Sequence, residues 1–427
     1  MKFLFVHQNF PGQFLHIVRH LVRAQQHDIV FLTEPNDNHI AGVRKVPYPK
    51  PPLSPPETHI AARELDGALR RADIVTATAG NLKRLGYTPD IIIGHHGWGE
   101  MLNLPDVWPD SAMLGYMEFY YRAEGIDVGF DPEFPTPAED HPRIRAKNAV
   151  NHLALQLGGE GQTPTAWQRS TYPEWSLPQI NLLWEGVNLD ICQPDPKVRR
   201  APFTIGSMTI GPKDKMVTYV SRDLEPYRGF PQIMRTIPHL LRARPDVKIV
   251  VVGGDGVSYG AAPPAGGTWR EVMMREVGDQ IDLNRVVFTG RIPYGTYVTM
   301  LQRSDAHVYL TYPFVASWSL REALAVGCAI VGSDTQPVRE FITHGENGLL
   351  GSFFDPVALA GSVLELLENQ PLNRKLRENA RRYAEDRLAM ADYLAAYDAL
   401  IERMTGMTLP KPAPEAPRPG KSTRKRQ

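Results

Sequence analysis

The segment that decides the fold reads Ala306-His-Val-Tyr-Leu-Thr-Tyr-Pro-Phe-Val-Ala-Ser-Trp-Ser-Leu-Arg-Glu-Ala-Leu-Ala-Val-Gly327. Its first residues form an apolar run that predicts a buried strand, and its later residues predict a helix that ends at the glycine. A strand that leads into a helix is the repeating unit of parallel α/β sheets, whose faces are covered by helices. The segment therefore predicts an α/β domain with a helix start at the end of a strand.

Apolar runs alternate with helical patterns on both sides of this segment. In the earlier half, the predicted strands are residues 2–7, 28–33, 91–94, 112–116 and 180–184. In the later half, they are residues 217–220, 247–252, 286–289, 306–310 and 329–332. These runs lack a strict alternation of apolar and polar residues, as expected for strands buried on both faces. The sequence thus predicts two doubly wound α/β domains with a ligand cleft between them.

Length and composition agree with a two-domain globular protein. The chain has 427 residues, 42% of them hydrophobic, and a chain of this length usually exceeds what one core serves. Its 47 basic residues balance 47 acidic ones, which argues against a nucleic-acid binder. Cys192 and Cys328 lie outside metal-ligand spacings, so neither a disulfide framework nor a metal site is expected. No run is long enough to span a membrane, and we expect a cytoplasmic protein.

Changes in composition suggest where the domains begin and end. Residues 1–190 are expected to form the first domain, and residues 191–204, rich in proline and charge, a linker. Residues 205–385 would form the second domain, and a helix over residues 386–407 could cross back to the first. Residues 408–427 are rich in Pro, Lys and Arg, which predicts a disordered tail. Its basic end could contact an anionic membrane, which would make the protein peripheral there.

Local signals also predict two helices and one loop. Residues 13–24 have the pattern of an amphipathic helix. Asp355 and Pro356 are typical of an N-cap and a first helical residue. Residues 47–56 are rich in proline, and we expect a long irregular loop there.

Two arginines follow the predicted strand over residues 217–220, namely Arg222 and Arg228. Guanidinium groups bind diphosphates bidentately, and Gly229 would relieve crowding before the next helix. Because this loop lies at the carboxyl end of a strand, the arginines are candidates for phosphate binding. The alternative is a pair of solvated surface arginines.

The helix start near Ser317 is a second candidate phosphate site. Free backbone N–H groups and the helix dipole favour an anion there. The small side chains of Ser317 and Ser319 would let a phosphate approach, and Glu322 would lie within reach of an attached ribose. The alternative is a capping box, in which Ser319 and Glu322 bind only backbone amides.

Two loops of the first domain offer further candidates. The loop after the first strand has the single glycine Gly12 and no Gly-x-Gly-x-x-Gly pattern, which disfavours a nicotinamide or flavin dehydrogenase. Gly12 would let backbone approach a ligand, or it serves a plain turn. His95 and His96 follow another strand and should point to opposite sides of an extended chain, so they are not expected to share a metal. One of them either forms hydrogen bonds in the cleft or is structural.

In this order the segments resemble the family-4 glycosyltransferases, retaining enzymes with the two-Rossmann-domain fold called GT-B. The resemblance covers nearly the whole chain and rests on residues 220–229, 249–254, 287–291, 322–334 and 345–350. Residues 181–188 are similar to the strand and turn that precede the family's linker. The resemblance implies a nucleotide sugar as donor, with no cofactor and no metal.

The resemblance also assigns roles to the candidate residues. It implies that Arg222 and Arg228 hold the donor diphosphate and act in catalysis, and that Glu322 binds the ribose. It implies that His96 lies near the transferred sugar as a third catalytic residue. The remaining donor-binding residues that it implies are Gly12, Gly254, Ser317, Trp318, Ser319 and Leu320.

One residue departs from the family pattern. Phe314 stands where the family's Glu-x7-Glu motif has its first glutamate, which usually contacts the donor sugar, so sugar recognition is expected to differ. The predicted function is sugar transfer with retention to a glycan, a lipid-linked molecule or a small molecule. A sugar-nucleotide epimerase or hydrolase of the same fold, and a non-catalytic nucleotide-sugar-binding protein, remain alternatives. Residues 116–122 and 125–134, aromatic and acidic, either line the acceptor side or form the edge of a packed core.

Overall fold

Two runs of buried strands build the architecture, because Val, Ile, Leu and Phe fill both faces of each sheet. The structure is a computed structural model that describes residues 1–410. The first sheet contains β1 (Lys2–Val6), β2 (Asp28–Thr33), β3 (Val43–Pro47), β4 (Ile91–His95), β5 (Ala112–Tyr116), β6 (Glu160–Thr163) and β7 (Ile180–Leu182). A short antiparallel hairpin contains β8 (Phe203–Ile205) and β9 (Met208–Ile210). The second sheet contains β10 (Lys215–Asp223), β11 (Val247–Gly254), β12 (Val286–Phe288), β13 (Ala306–Tyr309), β14 (Ile330–Ser333) and β15 (Leu349–Gly351).

Both sheets have doubly wound topology. The strand order is β3-β2-β1-β4-β5-β6-β7 in the first sheet and β12-β11-β10-β13-β14-β15 in the second. Neighbouring strands in both are parallel. The order reverses between β1 and β4, and again between β10 and β13. Such reversals open a crevice at the carboxyl ends of the strands, where α/β folds bind ligands.

Helices connect the strands and cover the sheets. In the first half they are α1 (Leu15–Arg23), α2 (Arg63–Arg84), α3 (Leu104–Val107), α4 (His141–Lys147), α5 (Ala149–Gln156) and α6 (Ala166–Thr171). In the second half they are α7 (Pro196–Arg200), α8 (Phe230–Ala243), α9 (Trp269–Val277), α10 (Tyr294–Arg303), α11 (Trp318–Val326), α12 (Gln336–Arg339), α13 (Pro356–Glu368), α14 (Gln370–Arg387) and α15 (Met390–Thr405).

The predicted α/β architecture with two doubly wound domains is confirmed. The hairpin of β8 and β9 had not been predicted, nor had three strands of the parallel sheets. These are β3, β6 and β15. The strands β3 and β15 lie at sheet edges, and β6 has the sequence Glu-Gly-Gln-Thr, which carries no apolar run. The helix expected at Pro356 is also confirmed, since Asp355 Oδ1 accepts the N–H of Ala358 at 2.9 Å.

The last helix, α15, packs on the first domain although it follows the second domain in sequence. Tyr397 of α15 lies in one buried cluster with Phe5 of β1 and Val18 of α1. His20 of α1 also contacts Asp398, with 2.8 Å between Nε2 and Oδ2. The end of the chain therefore helps to hold the first sheet.

The expected linker and tail differ from the structure. Within residues 191–204, α7 begins at Pro196 behind an N-cap at Asp195, and β8 begins at Phe203, so the expected linker contains regular structure. Leu409 is buried and belongs to the core cluster of the first domain, so a disordered tail does not begin at residue 408. Residues 411–427, which include the basic end, lie outside the described residues.

A segment of the first domain crosses to the second. We call residues 117–140 the crossing segment. Phe130 packs on Tyr312 and Phe353, with ring centroids 5.1 Å and 5.4 Å away. The hydroxyl of Tyr312 donates to Asp131 Oδ2 at 2.9 Å. Most of residues 125–134, which the sequence left between an acceptor wall and a core edge, therefore pack on the second domain.

Charged and polar bonds fix the crossing segment further. Arg235 of α8 donates to both carboxylate oxygens of Glu133, at 2.6 and 2.7 Å. The hydroxyl of Tyr227 donates to Asp127 Oδ2 at 3.2 Å. Burial raises the pKa of Asp127 to about 6. The segment thus joins the second domain through both apolar packing and directed hydrogen bonds.

The return of the chain to the first domain generates a testable prediction. A Cβ added at Gly186 would lie 2.5 Å from the Cα of Met390, and backbone cannot move aside as a side chain can. We expect Gly186→Ala to lower the free energy of unfolding by about 1–3 kcal/mol, measured by urea denaturation. Gly361→Ala is the matched control, because Gly361 lies in α13 with nothing within 4 Å of the added Cβ. The control should be neutral or stabilising, and equal losses in both variants would contradict the prediction.

Candidate functional site

Arg228 lies at the carboxyl edge of the second sheet, in the turn that follows β10. Its buried guanidinium donates to Thr311 Oγ1 and to the carbonyl of Val315, both at 2.8 Å. Gly229 permits this approach, because it has a φ of 70° and a Cβ there would lie 2.5 Å from that of Leu310. Both acceptors are neutral, so the positive charge of Arg228 remains available to an anion.

The start of α11 lies beside Arg228, because α11 begins three residues after Val315. Ser317 is the N-cap, and its hydroxyl oxygen accepts the N–H of Ser319 at 3.2 Å. The hydroxyl of Tyr309 accepts the N–H of Ser317 at 2.7 Å. Leu320 is fully buried and anchors the first turn. The structure therefore brings Arg228 together with the helix start that the sequence singled out.

Glu322 does not belong to a capping box. Because α11 begins at Trp318 with Ser317 as its cap, Ser319 lies inside the helix. Glu322 Oε1 instead accepts the hydroxyl of Tyr294 from α10 at 2.8 Å. Burial raises the pKa of Glu322. The capping-box alternative is wrong, and the carboxylate is held by a tyrosine.

Arg222 and Gly254 lie at the same edge, and among the described residues neither is hydrogen-bonded to Arg228. The side chain of Arg222 is exposed. Gly254 pairs in register with Asp223, and a Cβ there would lie 2.5 Å from Asp223 Oδ1. Gly254 therefore makes room for a carboxylate of its own chain.

Asp223 and Glu225 organise this edge, and the sequence did not assign them a role. Asp223 accepts hydrogen bonds from Ser258 at 2.5 Å and from Arg291 at 2.9 Å. Burial opposes ionisation of Asp223, but these two donors outweigh it and lower its pKa. Glu225 accepts the N–H of Gly260 at 2.9 Å and those of the two preceding residues. Glu225 thus fixes the loop that carries Tyr259. The ring of Tyr259 lies 4.7 Å from the guanidinium carbon of Arg228.

Gly12 lies across the cleft, after β1. Its φ is 54°, and a Cβ there would lie 2.9 Å from His7 Nδ1. His7 is buried, and its Nδ1 accepts the N–H of Asn9 at 2.9 Å. Burial and the neighbouring His95 lower the pKa of His7 to about 3. Gly12 thus makes room for a neutral imidazole, a role that its position in a turn did not reveal.

The structure places His95, not His96, at the site. Both rings are buried, but His95 lines the cavity of the first domain, whereas the ring of His96 lies against Gly115 so closely that any Cβ there would overlap it. Burial lowers the pKa of His96 to about 3. His95 Nε2 instead lies 3.3 Å from Glu118 Oε2, and its Nδ1 accepts the N–H of Gly97 at 3.0 Å. The assignment of His96 to the cleft is corrected on these grounds.

Glu118 connects this histidine to the second domain. Burial opposes ionisation of Glu118, but the hydrogen bond from His95 and nearby positive charges, that of Arg228 included, lower its pKa. His95 and Glu118 also line a cavity of about 860 Å³ on the first domain. The cavity therefore begins where the two domains meet.

Phe314 takes part in an aromatic cluster at the same junction. It is buried, and its ring centroid lies 4.8 Å from that of Phe119 and 5.1 Å from that of Tyr259. Tyr227 packs on its edge at 5.6 Å. Where the resemblance expects a carboxylate, the site thus has a wall of aromatic rings. Phe119 also lines the cavity of the first domain.

Glu185 joins the two domains beneath the site, and no sequence signal identified it. Its Oε1 accepts the hydroxyl of Tyr116 at 3.0 Å, and its Oε2 accepts Trp318 Nε1 at 2.7 Å. Oε2 also lies 3.5 Å from Arg321 Nη1, and both charged side chains are almost wholly buried. This contact ties Trp318, the first residue of α11, to the first domain.

Neither a metal cluster nor a membrane-spanning helix is found in the part of the chain that the structure describes. No group of three or more His, Cys, Asp or Glu residues within residues 1–410 could hold a metal ion. Over the same range, no helix is both long and apolar enough to cross a membrane.

Comparison with known proteins relates this site to sugar transfer. Two family models match this sequence. The model described as "glycosyl transferase family 4 group" matches residues 25–192, and the model described as "glycosyl transferases group 1" matches residues 204–383. The chain is 27% identical over 252 residues to a phosphatidyl-myo-inositol mannosyltransferase of Mycobacterium leprae, covering 57% of this chain and 56% of that protein. It is 26% identical over 122 residues to an uncharacterised glycosyltransferase of Methanocaldococcus jannaschii, covering 28% of this chain and 31% of that protein.

Solved structures share the fold over almost the whole length. A sucrose-phosphate synthase from Thermosynechococcus elongatus has a TM-score of 0.70 at 16% identity, covering 95% of this chain and 99% of that one. The Anabaena protein HepE in complex with UDP-glucose has a TM-score of 0.64 at 15% identity, covering 94% of this chain and 100% of that one. At such identities the likeness shows the fold alone.

The contact between Glu185 and Arg321 predicts a stability change. Glu185→Gln keeps the shape of the side chain but removes the charge that faces Arg321, which is 2% exposed. We expect the free energy of unfolding near neutral pH to fall by about 3 kcal/mol, since a buried charge is left without its partner. Glu346→Gln is the control, because its pair with Lys375 at 3.5 Å is exposed and should contribute at most about 1 kcal/mol. Equal effects in chemical denaturation would refute the prediction.

The burial of His96 predicts a pH dependence. The pKa of His96 is about 3 in the folded chain against an ordinary value of 6.5, so the unfolded chain binds the proton first as the pH falls. Stability from the neutral ring is complete above pH 6.5 and is lost between pH 6.5 and 3. The free energy of unfolding should therefore decrease as the pH is lowered through this window. We expect His96→Asn to reduce that decrease by up to about 1.4 kcal/mol per pH unit. Urea denaturation across this window measures it, with the exposed His39→Asn as a control whose slope should match the parent.

Proposed function

We propose that this chain, which belongs to the family-4 glycosyltransferases, transfers a sugar from a nucleoside diphosphate sugar to a hydroxyl of an acceptor. The observation that carries the proposal is the position of Arg228 beside the start of α11, where two neutral oxygens hold its guanidinium. A guanidinium and a helix start at one strand edge suit a diphosphate. Arg222 is exposed at the end of β10 and is free to approach the same phosphates.

The chemistry follows from these charges. The bond between the anomeric carbon and the diphosphate oxygen breaks, the acceptor oxygen bonds to that carbon, and the acceptor proton leaves with the nucleoside diphosphate. Negative charge grows on the leaving oxygen, and Arg228 with the N–H groups of the α11 start would stabilise it. We propose that these groups act in place of a divalent cation. Attack from the face of the leaving group would retain the anomeric configuration.

The sugar itself would lie between the two domains. His95 and Glu118 approach from the first domain, 3.3 Å apart, and can hydrogen-bond sugar or acceptor hydroxyls. Phe314 presents a ring where a carboxylate would otherwise meet the sugar, so we propose a donor sugar recognised partly by aromatic contact. Glu322, held by Tyr294, would meet the ribose.

The identity of the donor can be tested first by thermal shift with UDP, GDP and ADP sugars, since a ligand of the folded state raises the melting temperature. The Anabaena relative in fold was solved with UDP-glucose, which makes UDP sugars the first to examine. Release of nucleoside diphosphate with a glycosylated product supports transfer. Donor binding without any release would replace transfer by nucleotide-sugar binding, and conversion of the donor without acceptor would indicate an epimerase or hydrolase.

Arginine variants test the diphosphate site. We expect Arg222→Ala to lower turnover at least about tenfold, on the scale of losing one charge-stabilising donor, while the unfolding free energy stays unchanged because the side chain is exposed. Arg228→Lys should lower turnover by a similar factor, since an ammonium lacks the planar fork with which the guanidinium donates to Thr311 and Val315 and still presents N–H groups to a phosphate. Nucleoside diphosphate release measures both. Arg382→Ala, at an exposed position of α14, is the control, and parental turnover in both site variants would refute the mechanism.

A further inference from the structure

The cavity that begins at His95 and Glu118 extends over the first domain. Its volume of about 860 Å³ is near the upper end of the range typical of small-molecule sites, so it has room for more than a single sugar ring. Phe119, at its inner end, touches Phe314 of the second domain. A molecule in the cavity would therefore reach the place where the donor sugar is expected.

One wall of this cavity is apolar. The proline-rich loop over residues 47–56, to which the sequence assigned no function, contributes Pro51, Pro52 and Leu53. Leu53 is 91% exposed, and Trp98, which also lines the cavity, is 43% exposed. Large apolar side chains left open beside a cavity indicate a surface that an apolar ligand covers.

The same cavity is positively charged. Four basic residues line it, Lys50, Arg63, Arg71 and Lys147, against two acidic ones, Glu64 and Glu118. Arg63 donates only to backbone carbonyls in its two hydrogen bonds, those of Pro56 at 2.9 Å and Thr58 at 3.1 Å. The charge of Arg63 is thus held in place but not neutralised by these contacts.

The acidic residues of the cavity already have partners. Glu64 lies 3.0 Å from Arg143 and 3.8 Å from Lys147, and Glu118 binds His95. Arg71 also has acidic partners, lying 3.5 Å from Glu34 and 3.9 Å from Glu100. The excess of positive charge beside the apolar wall therefore rests on Lys50, Arg63 and the Lys147 that shares Glu64 with Arg143.

We propose that this cavity binds the acceptor, and that the acceptor is an amphipathic phosphate, with an apolar body along Pro51–Leu53 and a phosphate group between Arg63 and Lys147. The proposal rests on the proposed function in that it takes the bound molecule to be the sugar acceptor. An uncharged glycan would leave the basic residues without an anion, and a free sugar phosphate would leave the apolar wall exposed. The phosphate can come from a membrane phospholipid or from a soluble alkyl phosphate.

Binding probes separate these features. Calorimetry on the full chain compares octyl phosphate, octyl glucoside and inorganic phosphate, each below micelle formation and in the presence of the nucleotide found by thermal shift. We expect octyl phosphate to bind at least about tenfold more tightly than either of the others, because only it uses both the charges and the apolar wall. Equal binding of octyl glucoside would overturn the proposal.

Variants locate the two parts of the ligand. Arg63→Gln, and its combination with Lys147→Gln, should weaken octyl phosphate about tenfold or more, whereas Leu53→Ser should weaken octyl phosphate but leave inorganic phosphate unchanged. All three positions are exposed or half-exposed, and thermal unfolding checks that the variants fold. Lys375→Gln, on α14 of the second domain, is the charge-matched control. Parental octyl phosphate binding in Arg63→Gln and in the double variant would overturn the proposal.

The source of the phosphate and the activity are read separately. Sedimentation with phosphatidylglycerol vesicles, reversed by octyl phosphate, would support a lipid acceptor, and octyl phosphate binding without vesicle binding would support a soluble one. If the proposed transferase function is wrong, no glycosylated product will form from any nucleotide sugar, whatever octyl phosphate does. If only the acceptor proposal is wrong, nucleoside diphosphate release from the donor will persist while octyl phosphate fails to bind.

Discussion

A single buried carboxylate, that of Glu185, sets the relation between the two domains and the helix start at the candidate site. It accepts hydrogen bonds from Tyr116 of the first sheet and from Trp318 of α11, and it faces Arg321 one turn later. Because Trp318 is the first residue of α11, the hydrogen bond that orients the domains also orients the N–H groups that we propose bind phosphate. The packing of the two domains and the orientation of the α11 start therefore depend on the same carboxylate.

The charged side chains around the site are arranged so that the guanidinium of Arg228 forms no ion pair with its neighbouring carboxylates. Asp223 and Glu225 lie close in sequence to Arg228, yet Asp223 binds Arg291 and Ser258, and Glu225 binds backbone N–H groups. The hydrogen bonds of Arg228 to Thr311 and Val315 go to neutral oxygens. Carboxylates thus shape the loop around the guanidinium without forming an ion pair that a diphosphate would have to displace.

Much of the fold was predictable from the sequence, because buried parallel strands are uninterrupted apolar runs. The strand β6, Glu-Gly-Gln-Thr, was not predicted, because its pairing with β5 and β7 makes it a strand and its own residues carry no apolar pattern. The meeting of Arg228 with the α11 start also followed from sequence, since carboxyl ends of neighbouring parallel strands share an edge. Predictions failed where the position of a side chain depends on packing between segments that are distant in sequence. Alternation shows that His95 and His96 face opposite ways, but only the space left by Gly115 decides that the ring of His96 packs there while His95 lines the cavity. Likewise, nothing local marks Glu185.

The crossing segment has a consequence for the modularity of the protein. Residues 117–140 are encoded in the first half, yet Phe130, Asp131 and Glu133 attach to the second domain. Separating the halves at residue 190 would remove part of the apolar cover of the second domain and leave the crossing segment of the first domain without its packing partners. Exchange of the first half with that of another protein would then have to preserve a crossing segment that fits the second domain, so the two halves form one structural unit.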